Sequence, residues 1–493
     1  MNPTPKNGKE NHNHHEHHEH KEAQEILDEQ SPYFAPLLRH PKAVLYGLLF
    51  TLLILLFFLR YTAGQPLFAG GESYYHLLQA QDSASWLDLL HLPLKLFVSI
   101  FPTSLLFILP LLLAGFSLAL LLSLTKRLEL SFSPVMLFLL LLLTSPIFLF
   151  KFSTLSEASL FFFLFLLGFW MLSHEKKSVC YLSLLPFLFA TFFDVFTALF
   201  LLLSQAIYFL LFRRSSSLRL SLSIILSTAI LTTINFFLLN LPIVSGPFHL
   251  EKTLPDLLSD LGGIGGIPLF TFLLAVLGFA LAWREKKYRY AYVFLLVALP
   301  AYFLHTQFGF LLSLVLIFFA TAGTIIIFEH NWSLPLLKKY TAFLLLLGLL
   351  FSTTTYLDRF SQLSPSGSET EALTWLKDNV PENSPIFSTP ENSYYLSYFA
   401  QKEPLYYMNS PDSEKVNLTL TLLSSTYSSI TFPLLEKHQI SVLYLPLHVK
   451  QALSSEQGLI PLLRNERFKM VHSNEGAEVW VFLSPSEETS ITS

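Results

Sequence analysis

A short polar segment, residues 70–81 (GGESYYHLLQAQ), follows soon after the first long apolar run and carries side chains that could do chemistry. If a helix starts near Gly71, then Glu72, His76 and Gln79 lie at positions i, i+4 and i+7 and share one helix face. A carboxylate, an imidazole and an amide on one face could hold a divalent metal ion, bind a sugar hydroxyl or act as a general base. The spacing therefore predicts one wall of a site.

The aromatic residues of the same segment allow a second interpretation. Tyr and Trp favour the headgroup level of a membrane, so Tyr74, Tyr75 and Trp86 could form an interfacial belt. A belt accounts less well for the neighbouring Glu72 and His76. Both interpretations, a site and a belt, stay open from the sequence.

Two further acids, Glu157 and Asp194, lie at or just inside the ends of apolar segments. A carboxylate is costly there and usually faces protein or a water-filled cavity. Each acid also fits a helix start: Ser153 or Ser156 could cap a helix that Glu157 complements, and Asp194 could cap a helix over 195–212. Caps and sites are compatible, because a helix N-terminus is also an anion-binding position.

The elements that must position these residues are apolar helices. The chain has 493 residues, of which 52% are hydrophobic and 13% charged, whereas an ordinary soluble protein has about 25% charged residues. The fold class predicted is a polytopic α-helical membrane protein with about eleven transmembrane helices. The predicted spans are 43–60, 103–123, 133–150, 154–173, 179–193, 195–212, 219–239, 266–283, 288–304, 307–328 and 339–357. The stretch 179–212 could be two short spans that turn at Asp194 or one long broken helix.

The distribution of Lys and Arg sets the orientation. With a cytoplasmic N-terminus, every predicted inner loop is basic, as the positive-inside rule requires. The acids then fall at outer helix ends or in outer loops. This predicts a multi-pass protein of the cell membrane, in contact with the lipid bilayer. No basic face suggests a nucleic-acid partner.

The domains predicted are a tail, a membrane part and an outer part. Residues 1–38 form a polar, His-rich cytoplasmic tail, expected to be disordered, which either binds metal or has no metal role. Because this polar stretch precedes the first apolar run, that run is expected to stay as an anchor. The transmembrane domain spans 39–357, with outer loops at 62–102 and 240–265. Residues 358–493 form a small extracytosolic α/β domain.

The α/β prediction depends on alternating elements. SPIFST, SVLYLPL, FKMVHS and AEVWVFL are typical of strands, and SEKVNLTLTLLSS and SSITFPLLEKHQ of helices. TEALTWLKDN has helical spacing, with Thr370 as a candidate cap. Cys180 is the single cysteine, so the outer domain has no intrachain disulfide and must be stabilised by packing.

The order of these parts resembles the GT-C superfamily of polyprenyl-linked glycosyltransferases, and most of all the catalytic subunit of archaeal and bacterial oligosaccharyltransferases. In that family a motif of the type Asp-x-Tyr-Tyr-His-x-Arg follows the first span, and here the stretch reads Glu72-Ser-Tyr-Tyr-His-Leu-Leu78. The resemblance implies that Glu72 acts at the metal and acceptor site. It also implies that Glu157, at the end of KFSTLSE (151–157), is the remnant of a second acidic motif. Residues 375–404 look like the opening of the family's outer domain.

This sequence departs from the family's pattern at three places. Leu78 stands where the family often has Arg. One acid, not a spaced pair, occurs near Glu157. The Trp-Trp-Asp-Tyr-Gly motif is absent, and PENSYY (390–395) occupies its place.

The function expected is a membrane glycosyltransferase that moves a sugar from a polyprenyl-phosphate-linked donor to an acceptor protein or glycan at the outer membrane face. Such chemistry needs a carboxylate for the acceptor and a cation or metal for the leaving phosphate. The catalytic residues expected are Glu72, with His76, Glu157 and Asp194 in support. A divalent metal ion, Mg or Mn, would be held by Glu72 and Glu157.

Residues near these acids are expected to bind substrate, and Lys151 or Lys252 would meet phosphate as a point charge. Two other functions stay open. A non-catalytic relative would bind a lipid-linked glycan or an envelope partner, as the missing second acid favours. A transporter or flippase would carry polar residues near the midplane and often a repeat, which this chain does not display clearly. The predicted substrate-binding residues are Tyr74, Tyr75, Gln79, Lys151, His249 and Lys252.

Overall fold

The computed structural model of the chain describes most of the residues after the N-terminal tail. Three predicted site residues, Asp194, His249 and Lys252, and the His-rich tail lie outside the described residues. The described ranges are 40–82, 91–102, 105–193, 195–211, 218–239, 257–263, 265–304, 308–330, 332, 334–382, 384–407, 413–453 and 458–483.

The first part of the chain is built from apolar helices, and the protein is a membrane protein. In chain order the helices are α1 Pro41–Thr62, α2 Gly71–Asp82, α3 Leu92–Ile100, α4 Ile108–Arg127, α5 Phe132–Leu143, α6 Pro146–Ser153, α7 Glu157–Leu172, α8 Lys177–Leu182, α9 Leu184–Ala190, α10 Val195–Leu211, α11 Leu218–Leu239, α12 Leu269–Ala282, α13 Arg289–Leu304, α14 Gly309–Glu329 and α15 Pro335–Ser361.

Every predicted span overlaps at least one of these helices, but the helices differ in length. Within the described residues, α1, α4, α14 and α15 are long and apolar enough to cross a membrane, and the bent pair α5–α6 makes a fifth candidate. The other apolar helices count 10–17 residues each in the same test, and α11 counts there only from Leu222 to Phe237. The prediction of long apolar helices is confirmed, whereas eleven crossings and their orientation stay predictions.

The segment predicted as one straight span over 133–150 is broken instead. Helices α5 and α6 meet at an angle of 63°. The cause is Pro146, the first residue of α6, because a proline disfavours helical backbone in the residue before it. Ser145 is extended there (ψ 129°), and its hydroxyl caps α6 by accepting from the Phe148 N–H.

The C-terminal part is the small α/β domain that the sequence predicts. Its four-stranded sheet has the order β1-β2-β4-β3, with β1 parallel to β2 and the other pairs antiparallel. Ser366, not Thr370, caps its first helix and forms a capping box with Glu369. The elements are α16 Gly367–Asn379, β1 Ile386–Phe387, α17 Ser393–Tyr395, α18 Ser413–Ser424, α19 Ser428–Lys437, β2 Val442–Pro446, α20 Leu447–Ala452, α21 Leu459–Leu462, β3 Phe468–Ser473 and β4 Ala477–Phe482.

Strand β2 is buried on both faces and divides the core of this domain. Its side chains alternate, as in any strand. Val442 and Tyr444 belong to a cluster that contains α16 and continues into the membrane helices. Leu443 and Leu445 pack on the opposite side with α18, α19 and α21. The domain therefore shares a core with the membrane part.

A buried arginine lies where the two parts meet. Arg60, in the last turn of α1, is 0% exposed. Its guanidinium and Nε donate to five backbone carbonyls, two in the loop after α1 and three at the end of α15 and just beyond it. Arginine has five N–H donors, and each finds an acceptor here. The acceptors are the carbonyl oxygens of Pro66, Phe68, Phe360, Leu363 and Pro365.

We expect Arg60→Met to destabilise the protein more than any surface substitution, because it leaves five carbonyls without their donor. Hydrogen bonds to a charged group contribute about 1.5–3 kcal/mol each, with incomplete additivity. Thermal unfolding in detergent would show the loss. Arg464→Met is the matched control, since Arg464 is exposed. Equal unfolding temperatures of the two variants would contradict this role of Arg60.

Helices α12 and α14 are in close contact through glycine. A Cβ on Gly278 would overlap the carbonyl oxygen of Phe319, and a Cβ on Gly323 would lie 2.6 Å from the carbonyl oxygen of Leu274. Small residues allow such close approach of helices in membranes. These two positions therefore set the distance between α12 and α14.

We expect Gly278→Ala to lower stability by about 1–3 kcal/mol, the usual cost of overpacking. Gly47→Ala is the control, because Gly47 also lies in a membrane helix and a Cβ there meets nothing within 4 Å. Unfolding in detergent would measure both. A Gly278→Ala protein as stable as the Gly47→Ala protein would contradict the proposed close contact.

Candidate functional site

Helix α2 places Glu72 against a lysine of α6. The helix starts at Gly71, as the sequence predicts, and Glu72 lies in its first turn. Lys151 Nζ donates to Glu72 Oε2 at 2.8 Å, and the two side chains are 10% and 25% exposed. Ser156 Oγ donates to Glu72 Oε1 at 2.9 Å. Both carboxylate oxygens are therefore engaged.

The link between α6 and α7 is fixed against α2 by a second contact. The backbone N–H of Leu155 donates to Ser73 Oγ at 3.2 Å. Ser156 also caps α7, since its hydroxyl oxygen accepts from the Ala158 N–H. The serine cap suggested by the sequence is thus present, and the same hydroxyl joins α7 to Glu72.

Electrostatics keeps Glu72 ionised. Burial alone would raise the pKa of the Glu72 carboxyl, but the Lys151 ammonium, His76 and the hydrogen bonds from Lys151 and Ser156 outweigh it. The pKa of Glu72 therefore lies below its ordinary value of 4.5. A carboxylate held in this way is a weak base and a stable counter-charge.

One helical turn after Glu72, His76 meets a second histidine. His76 Nδ1 and His91 Nε2 are 2.8 Å apart, and both side chains are buried, at 6% exposure each. One nitrogen must donate and the other accept. The pair joins α2 to the residue that precedes α3.

The tyrosines of α2 face the C-terminal domain. Tyr74 is 3% exposed, and its ring packs on Tyr395, Tyr398 and Phe399. Its hydroxyl donates to the Phe68 carbonyl, and burial raises its pKa. An interfacial belt does not account for Tyr74, because the ring lies inside protein.

Tyr75 lies between the histidine pair and the C-terminal domain. Its ring contacts those of His76 and His91 at 5.1 and 6.0 Å, and that of Tyr394 at 5.1 Å. Gln79 is partly buried on the same helix. Of these residues, His76 and His91 reach the cavity described next.

A cavity of about 360 Å³ opens beside these groups. Its polar lining residues, which form its polar end, are His76, His91, Thr154, Ser156, Glu157 and Ser159. The other lining residues are apolar and come from α3, α4, the α6–α7 link, α7 and the region around α9. A cavity with a polar end and otherwise mostly apolar walls suits an amphipathic ligand. The apolar lining includes Leu94, Leu109, Leu113, Leu160, Phe163 and Phe193.

The site thus unites some predicted residues and adds others. Glu72, His76, Lys151 and Glu157 come together around the α6–α7 link. Ser156 and His91 also belong to the site, although neither is predicted as a site residue from the sequence. Ser156 is predicted only as a helix cap, and His91 lies 15 residues after His76, a separation that carries no spacing signal.

The residues at Glu72 do not fit the divalent metal that the sequence resemblance implies. Mg²⁺ and Mn²⁺ need several oxygen ligands, but both oxygens of Glu72 already accept hydrogen bonds. The Lys151 ammonium has no lone pair and repels a cation. Among the described residues, no group of three or more His, Cys, Asp or Glu side chains is placed to hold a metal.

Comparison with known proteins gives structural neighbours only. No protein-family model and no curated protein matches the chain. A crystal structure of the Archaeoglobus fulgidus oligosaccharyltransferase tethered with an acceptor peptide matches with a TM-score of 0.46 and 12% identity, over 90% of this chain and 74% of that one. The chain is similar to archaeal oligosaccharyltransferases.

A second structure of the A. fulgidus enzyme AglB, in complex with an inhibitory peptide and a dolichol-phosphate, has a TM-score of 0.48 and 13% identity, over 83% of this chain and 70% of that one. A third, a complex with Zn and sulfate, has a TM-score of 0.42 and 13% identity, over 85% and 65% of the two chains. These TM-scores are all below 0.5 and the identities are 12–13%, so the likeness carries no information on function.

We expect Glu72→Gln to lower stability at neutral pH by about 3 kcal/mol, because it leaves the Lys151 ammonium buried without its counter-charge. The double variant Glu72→Gln/Lys151→Gln should recover part of this loss. Unfolding in detergent would measure both. A double variant less stable than either single variant would contradict a paired site.

The pH dependence follows from the lowered pKa of Glu72. The stabilisation is present above pH 4.5, the ordinary value, and is lost as the pH falls through the lower folded-state value. Glu369 has a lowered pKa as well, so the component from Glu72 is the difference between wild type and Glu72→Gln. That difference should shrink in acid, and a constant difference would exclude this linkage.

Proposed function

We propose that this protein is a GT-C-like membrane glycosyltransferase that takes a sugar from a polyprenyl-phosphate-linked donor and transfers it to an acceptor at the outer membrane face. The observation that supports this proposal most is the amphipathic cavity. Its apolar wall suits a prenyl chain, and its polar end suits a phosphate and a sugar. The orientation assumed here is the one predicted from the basic loops.

The donor would lie with its chain between the first turns of α4 and α7. Leu109 and Leu113 of α4 and Leu160 and Phe163 of α7 line this space. Burial of apolar surface contributes about 25 cal/mol per Å². The lipid would therefore supply most of the affinity, and the polar end would orient the head group.

In the transfer step, an acceptor nucleophile attacks C1 of the sugar. The bond between C1 and the phosphate oxygen breaks, and the polyprenyl phosphate leaves with the electron pair. A carboxylate at the cavity takes the acceptor proton. Glu157 is proposed for this role because it lines the cavity. Glu72 then acts as the counter-charge that holds Lys151.

One observation favours a second candidate function. Glu72 is hydrogen-bonded to Lys151 and Ser156, and the sequence has a single acid, Glu157, where the resemblance implies a spaced pair. A non-catalytic protein would use the same cavity to bind a lipid-linked glycan without transfer. Binding and turnover have to be measured separately to distinguish the two functions.

We expect Leu113→Trp to weaken binding of a polyprenyl-phosphate-linked sugar by about tenfold or more, because the indole would occupy the cavity; tenfold corresponds to about 1.4 kcal/mol. Leu112→Trp is the matched control, since its neighbour Leu112 is 45% exposed on the outer side of the same helix. Binding to purified protein in nanodiscs would be measured by fluorescence. Equal affinities of the two variants would place the ligand elsewhere.

Glu157→Gln should keep this binding and lose turnover, by about 10²–10⁴-fold if the carboxylate acts as a general base. Release of sugar from the donor measures turnover. Glu175→Gln is the control, an exposed acid in another loop. Binding without turnover in the wild type would favour the second function, and no binding at all would refute both.

A further inference from the structure

The Lys151 ammonium has more hydrogen-bond donors than its contact with Glu72 uses. Its side chain is 10% exposed, and an ammonium carries three N–H donors. Among the described residues, the single acceptor within hydrogen-bonding distance of Nζ is Glu72 Oε2. A buried donor without an acceptor is costly. Within the described part of the chain, two donors of this buried cation therefore have no acceptor.

The position of this cation is close to the polar end of the cavity. Lys151 and Ser156 hydrogen-bond to the two oxygens of one carboxylate, and Ser156 lines the cavity. The phosphate oxygens of a ligand bound there would be acceptors of the required charge. A lysine binds phosphate as a point charge with rotatable donors.

We propose that Lys151 takes the place of a divalent metal ion at this site, so that the protein binds a lipid-linked phosphate through the lysine ammonium and without Mg²⁺ or Mn²⁺. The ligand class, a lipid-linked phosphate, rests on the proposed function. The choice of Lys151 over a divalent metal ion rests on the contacts of Glu72 and Lys151 and not on that function. The ammonium occupies the Glu72 oxygen to which a metal ion would bind. It also supplies positive charge where a leaving phosphate develops negative charge.

Phosphate binding through a metal ion and phosphate binding through Lys151 predict different effects of Glu72→Gln. If a metal ion bridged protein and phosphate, Glu72→Gln would remove a metal ligand and abolish phosphate binding. If Lys151 binds the phosphate, Glu72→Gln frees the ammonium from its counter-charge and phosphate binding persists. If Lys151 binds the phosphate, Lys151→Gln should weaken phosphate binding by about tenfold or more, a loss of about 1.4 kcal/mol.

The experiment uses the full chain in detergent and a polyprenyl phosphate as the probe, with binding measured in EDTA and again with Mn²⁺. We expect wild type and Glu72→Gln to bind equally well in both buffers. Lys151→Gln should bind weakly in both, and Lys151→Arg should keep part of the affinity. Lys450→Gln is the matched control, because Lys450 pairs with Glu478 in the C-terminal domain, away from this cavity.

A second measurement needs no ligand. Electron paramagnetic resonance of Mn²⁺ titrated into the protein reports metal binding directly, and wild type and Glu72→Gln should give the same signal of free Mn²⁺. Should Lys151→Gln fail to fold, the neutral double variant Glu72→Gln/Lys151→Gln replaces it. That variant should also lose phosphate binding.

Two outcomes would overturn the inference alone: wild-type binding that EDTA removes and Mn²⁺ restores, or Mn²⁺ binding that Glu72→Gln abolishes. Undiminished binding by Lys151→Gln would overturn it as well. Failure of the wild type to bind the polyprenyl phosphate in either buffer would instead refute the proposed function together with the phosphate role of Lys151. The two failures are therefore distinguishable.

Discussion

The five hydrogen bonds of Arg60 are the constraint on which the arrangement of this protein depends. The guanidinium at the end of α1 is surrounded by carbonyl dipoles from two distant segments. Some of these carbonyls precede α2, and the others follow the last membrane helix. Arg60 thereby fixes both the start of α2 and the start of the C-terminal domain relative to α1.

The geometry of the candidate site depends on this junction around Arg60. Tyr74 packs α2 against the C-terminal domain, and Glu72 on the adjoining side binds the α6 lysine. Successive residues of one helix thus serve different neighbours. The bend at Pro146 matters for the same reason, because it directs α6, and with it Lys151, toward α2. A straight span over 133–150 would not bring the lysine to this helix in the same way.

Local features of the sequence predicted local features of the structure. The helix from Gly71, the cap at Ser156 and the C-terminal strands follow from spacing, capping residues and alternation, which act over a few residues. The Glu72–Lys151 contact joins residues 79 positions apart, and the Arg60–Pro365 contact joins residues 305 positions apart. No periodicity encodes such contacts. Arg60 in particular follows the last residues of an apolar run, where an exposed loop cation is expected, although it is buried.

Charge compensation explains why a ligand should bind beside Lys151 and not at Arg60 or Glu72. A charge near the bilayer is costly unless protein dipoles or an opposite charge surround it. Arg60 has an acceptor for each donor, and each oxygen of Glu72 already accepts a hydrogen bond. Lys151 has three donors and one acceptor among the described residues, and it lies beside the polar end of the cavity. A ligand that brings a phosphate and a long apolar chain to this place would complete the bonding of the lysine and fill the cavity at the same time.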